Sequence, residues 1–120
     1  MQRTERVYGL HAPRCPAYPL KEGCAYIDDI FVAEAVAAIT AHAAEPNSGP
    51  FMLIFAAHGV HAPLQLPRSR LARVPVHPEY PDWRRRRYAG MVTQFDEHVG
   101  LLVDAMRGSG RWENGLIVMS

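Results

Sequence analysis

Two short apolar runs constrain this chain more than anything else in it: Phe51-Met-Leu-Ile-Phe-Ala-Ala57 and Gly115-Leu-Ile-Val-Met119. Each is a continuous run without polar interruption, bounded by turn residues, and too short for a buried helix. Such runs suit strands covered on both faces, as in a parallel sheet. Between them, residues 83–107 carry a helical stripe of Tyr88, Met91, Val92, Phe95, Val99, Leu102 and Met106, with Arg87, Gln94, Glu97 and Asp104 off it. Two apolar strands joined through an amphipathic helix make a βαβ unit with a right-handed crossover. The expected fold class is therefore α/β, part of a parallel or mixed sheet flanked by helices.

The rest of the chain divides around this unit. Residues 1–27 hold Pro13, Pro16, Pro19, Gly9 and Gly23 without a sustained period and read as a loop or connection. Residues 28–44 read as a helix, since Ile30, Phe31, Ala35, Val36 and Ile39 recur at helical spacing and alanine is frequent. Asp28 or Asp29 is placed to cap it. The Pro46-Asn-Ser-Gly-Pro50 turn ends that helix, the loop from His58 runs through proline-rich sequence to Pro81, and Gly108-Ser-Gly110 ends the second helix. A two-stranded parallel sheet cannot cover its own faces. The expectation is that residues 28–120 are the central part of a larger domain and the chain an internal piece.

Composition narrows the function classes. With 48% hydrophobic and 21% charged residues the usage is globular, and a formal net charge of +1 offers no bulk attraction for nucleic acid or a membrane surface. No apolar run approaches the ~20 residues of a spanning helix, and Met-Gln-Arg-Thr-Glu-Arg-Val-Tyr-Gly-Leu is no signal peptide. Cys15 and Cys24 lack a second pair and a CxxC spacing, so neither a disulfide framework nor a zinc site is expected; whether the two pair is open. The Arg84–Arg87 run lies at a helix start and reads as solvated, although positive charge there opposes the helix dipole. Asp96 and Glu97 point about 100° apart on a helix and do not form a carboxylate pair. His98 reads as a boundary residue, and His11, His42 and His77 have no evident partner.

The loop at His58-Gly-Val-His61-Ala-Pro-Leu-Gln65 is the strongest chemical candidate. It sets two imidazoles three residues apart, directly after an apolar run and next to Pro63 and Pro67. In open parallel sheets ligands sit beyond the carboxyl ends of the strands. Imidazole can hold an anion, donate a proton or ligate a metal.

From Pro50 to Pro67 the chain resembles the sulfatases, especially the arylsulfatase and N-acetylgalactosamine-4-sulfatase branch, whose corresponding strand runs into a His-x-Pro-Leu-Gln loop. Residues 88–120 are similar to that family's Tyr-Ala-x-Met-Val and Asp-Glu-x-Val-Gly helix and the strand leading to its Asp-Asn-Gly motif. The resemblance covers about residues 26–120, with a divergent middle from Arg68 to Arg85.

It implies an alkaline-phosphatase-like sulfatase fold and a sulfuric ester hydrolase acting on aryl or carbohydrate sulfates. His61 would be the catalytic and substrate-binding residue, bonding a sulfate oxygen or the ester oxygen; His58 matches no family position. The family's calcium ion and formylglycine nucleophile are implied, but their ligands and motif lie outside these residues. Cys15 opens Cys-Pro-Ala-Tyr and Cys24 opens Cys-Ala-Tyr-Ile, neither being Cys-x-Pro-Ser-Arg. The 120 residues alone are expected to be inactive, no metal ligand is assigned, and members are commonly lysosomal, secreted or periplasmic. The alternative expectation is a non-catalytic or degenerate α/β fragment acting as an interaction module.

Overall fold

The computed structural model describes residues 25–76, 78 and 82–119. Expectations placed on Cys15, Cys24, His11 and His77 fall outside these residues. Three helices are present in chain order: α1 (Ile27–Ala44), α2 (Arg68–Leu71) and α3 (Trp83–Gly108).

Helix α1 is alanine-rich, and Asp28 and Asp29 stand in its first turn while His42 stands in its last, as the helix dipole favours. Its buried face is Asp28, Val32, Ala35 and Ile39, a stripe at spacings of four, three and four. After Glu45 and Pro46 the chain turns at Asn47, whose φ of 60° is the left-handed conformation that asparagine tolerates.

Helix α3 begins with a built cap: the Asp82 carboxylate accepts the Arg84 N–H at 2.9 Å. It ends in a Schellman turn. Gly110 takes φ 71°, its N–H donates to the Arg107 carbonyl, and the Arg111 N–H donates to the Met106 carbonyl. The short helix α2 lies within the stretch whose prolines suggest only loop. Arg86 ties down its last residue and the turn after it, donating from Nη2 to Leu71 O and from Nε to Val74 O, both at 3.0 Å.

Helix α1 packs on α3, and α2 on the N-terminal half of α3. The apolar core is small: Tyr26, Val32, Ala35, Ile39, Leu66 and Met91. Leu66 has no exposed surface and lies beneath α3 at Gly90, where an added Cβ would collide with the Leu66 side chain and stand 2.9 Å from Val74 Cγ2. Burying a leucine side chain completely stabilises by about 1.5–3 kcal/mol, so this contact anchors the end of the 58–67 loop.

The expected parallel sheet is absent. Among the described residues there is no strand, and residues 51–57 and 115–119 carry no ladder. Both runs are largely bare, with Met52 83%, Ile54 79%, Leu116 86% and Val118 77% exposed. A ladder is made between segments, and apolarity within each segment says nothing about whether the two lie side by side. Residues 53–56 instead run along Phe31, Glu34 and Ala35 of α1. Their start is held by His42, whose ring stacks on Phe51 at 4.6 Å and whose Nε2 donates to Gly49 O at 3.0 Å. Beyond α3, Arg111 ties the following segment to the 45–50 turn through Ser48 Oγ at 2.7 Å.

The buried face of α3 also differs from the apolar stripe. It comprises Gly90, Met91, Gln94 and His98, whereas Tyr88 and Val92 are exposed. The helix is turned by about one residue's 100° relative to its apolar face. Polar groups occupy the interior because they find partners there.

Candidate functional site

The two aspartates that open α1 anchor separate sets of polar contacts, one of them on the His58–His61 loop. Neither caps the helix as expected; the residue at the cap is Tyr26, without a side-chain bond. Asp28 is 2% exposed and its Oδ1 accepts the His58 backbone N–H at 2.9 Å. Asp29 turns the other way: its Oδ1 accepts from Arg70 Nη1 at 2.9 Å and from His98 Nε2 at 2.8 Å.

A carboxylate only accepts, so the Nε2 of His98 carries the proton in that pair. The Gln94 amide lies 3.1 Å from the same nitrogen. His98 is thus a buried link between α3, α1 and α2. Sequence reasoning missed it and Asp28 for the same reason: both are polar residues on stripes assumed to be apolar. The signal was the spacing, since Asp28 stands four residues before Val32 and His98 four after Gln94.

Tyr26 closes the cluster from below. Its ring lies 6.5 Å from that of His98, with the Arg70 guanidinium 5.5 Å from its centroid. Burial first, then the Asp28 carboxylate, push the phenol up to about 12; Arg70 opposes and Asp29 adds to the rise.

The loop itself is held at both ends. At one end the His58 N–H is bonded to Asp28, and Gly59 packs so closely that an added Cβ would stand 3.0 Å from Asp28 Oδ2. At the other end is Leu66. Between them Val60 takes φ 64°, a conformation that costs a β-branched residue on the order of 1–3 kcal/mol and persists only where the surroundings enforce it. The Ala62–Pro63 peptide is cis.

His61 follows directly on Val60 and is exposed. Its Nδ1 lies 2.6 Å from the Ala62 carbonyl oxygen. A carbonyl cannot donate, so Nδ1 holds a proton and Nε2 is the nitrogen left for a ligand. The His58 ring lies 6.3 Å away, centroid to centroid, tilted by 55°. The structure therefore puts the two histidines in one loop, with one imidazole nitrogen fixed.

The arginine run is divided rather than uniformly solvated. Arg86 is committed to α2, and Arg84 and Arg87 lie over the Trp83 ring at 5.2 and 4.2 Å. Asp96 is exposed, and Glu97 pairs with Arg73 at 3.5 Å. Among the described residues no three His, Cys, Asp or Glu side chains converge to hold a metal ion. None of the described helices is long and apolar enough to cross a membrane.

No solved structure matches the chain. A family model described as Sulfatase matches residues 6–120, nearly the whole length. That match spans the His58–His61 loop, both long helices and the segment after α3, and on its extent the chain belongs to the sulfatase family.

Proposed function

We propose that this chain supplies part of the active site of a sulfuric ester hydrolase, with His61 as the residue that meets the sulfate group. The supporting observation is the contact of His61 Nδ1 with Ala62 O at 2.6 Å, in which only the nitrogen can donate. With Nδ1 committed, Nε2 in its protonated form donates to a sulfate oxygen or to the ester oxygen. In the second role it gives the departing alkoxide or phenoxide a hydrogen bond, and at the end of S–O cleavage a proton. The exposed position of His61 leaves it open to an anionic ester. Aryl sulfates and carbohydrate sulfates both fit this chemistry.

Calcium and a formylglycine nucleophile belong to the same reading, but the residues described here do not fit either. Among the described residues no three metal-binding side chains converge. Neither cysteine begins the Cys-x-Pro-Ser-Arg motif. The reading is therefore confined to what His61 does to the sulfate.

The test is turnover of an aryl sulfate, with calcium present, by the longest reading frame that contains these residues, with and without His61→Ala. Loss of a positioned acid lowers kcat by roughly 10²–10⁴-fold. An unchanged rate in the variant would remove His61 from the mechanism.

A further inference from the structure

We infer that Asp28 is a positioning residue for His61, acting as a latch on the loop rather than as part of the helix cap. This rests on the reading of His61 above. Within α1 the Asp28 side chain makes no cap, and it lies on the stripe that otherwise buries Val32, Ala35 and Ile39. A carboxylate that is 2% exposed is costly to bury unless its oxygens are engaged. One engagement is the N–H of His58, at 2.9 Å across thirty residues of sequence. The other oxygen abuts Gly59, leaving no room there for a side chain without a shift.

These contacts stand immediately before the one described valine held at positive φ. Left free, Val60 would relax to negative φ and rotate the backbone that carries His61. Leu66 pins the far end of the loop in the core, so Asp28 is the constraint on the near end. The Nδ1–Ala62 O bond of His61 depends on that local backbone course. Asp28 thereby holds the ring so that, once protonated, its Nε2–H faces an anion, without touching the anion itself.

The experiment uses the ¹⁵N-labelled 120-residue chain, with the His61 ring nitrogens assigned by comparison with His61→Ala. The wild type is expected to show the Nδ1–H tautomer. Asp28→Ala should shift the neutral His61 ring toward the Nε2–H form that a free imidazole prefers. In the protonated ring, which donates from both nitrogens, it should loosen the Nδ1–H···Ala62 O bond and weaken inorganic sulfate binding, followed at the His61 ring, at least fivefold. Asp28→Asn, which keeps an acceptor oxygen, should retain the wild-type tautomer. Asp29→Ala serves as the structural control: it removes the tie to Arg70 and His98, lowers the urea midpoint and leaves the His61 ring unchanged.

If Asp28→Ala does not fold, Gly59→Ala disturbs the same contact from the loop side and should produce the same shift. A wild-type tautomer in both variants overturns the latch, as does an equal loss in Asp29→Ala. If the wild-type His61 ring does not respond to sulfate, the sulfate role fails and the placement loses its catalytic meaning. If it responds while Asp28→Ala retains the wild-type ring, only the latch fails.

Discussion

Asp28 and Asp29 are adjacent in sequence, yet one holds a loop and the other joins three helices. Consecutive helical residues point about 100° apart, so neighbours at the start of α1 reach different parts of the molecule. Tyr26, two residues upstream, reports on both. Its phenol ionises near 12, while an unfolded tyrosine ionises near 10. Between those values the unfolded chain has released a proton that the folded chain retains, so this contribution to stability is complete below pH 10 and disappears as pH rises through 12. The urea midpoint of the wild type is expected to fall more steeply from pH 9 to 11.5 than that of Tyr26→Phe. Equal slopes would show that Tyr26 ionises no differently in the folded chain.

At the scale of elements, α3 is defined by its ends and by one close approach. Asp82 caps its start and Gly110 completes its stop. Both signals are local and readable in sequence. The approach at Gly90 is not local: the position is glycine because Leu66 and Val74 lie against the helix there. Gly90→Ala should therefore destabilise, despite alanine's better helix propensity, because overpacking a filled site costs about 1–3 kcal/mol. Chemical denaturation would show a lowered midpoint; a raised one would mean that Leu66 moves aside freely. Turning α3 toward Gln94 and His98 follows from the same packing. It brings His98 within 2.8 Å of Asp29 and leaves Tyr88 and Val92 in solvent. Hydrophobic periodicity identified the helix but misplaced its inner face, because a buried polar residue with a partner is invisible to an apolar count.

For the molecule as a whole, the main correction concerns residues 51–57 and 115–119. Their composition led to strands, and the described structure has neither a strand nor a sheet. They lie outside any regular element and are largely exposed, the first along α1 and the second beyond the α3 cap. Since Ile54 and Leu116 are 79% and 86% exposed, Ile54→Lys and Leu116→Lys should change the unfolding free energy by less than about 0.5 kcal/mol. They should also reduce self-association, measured by sedimentation at high concentration, by interrupting contiguous apolar surface. A large stability loss from either would show that these side chains are covered in solution.

The sequence by itself determined the two long helices, their stop signals, the loop at His58–His61 and membership of the sulfatases, which the family match shows at the level of the family alone. These are properties of residues near one another in the chain: alanine content, helical spacing, turn residues past a helix end, a motif in fixed order. Tertiary structure alone decided that Asp28 holds the His58 N–H, that Asp29 joins Arg70 to His98, and that the apolar runs carry no ladder. Each of those depends on groups 30 to 69 residues apart meeting within hydrogen-bond distance, or failing to. Local spacing cannot express that, because the free energy of such a contact belongs to the pair and to its burial.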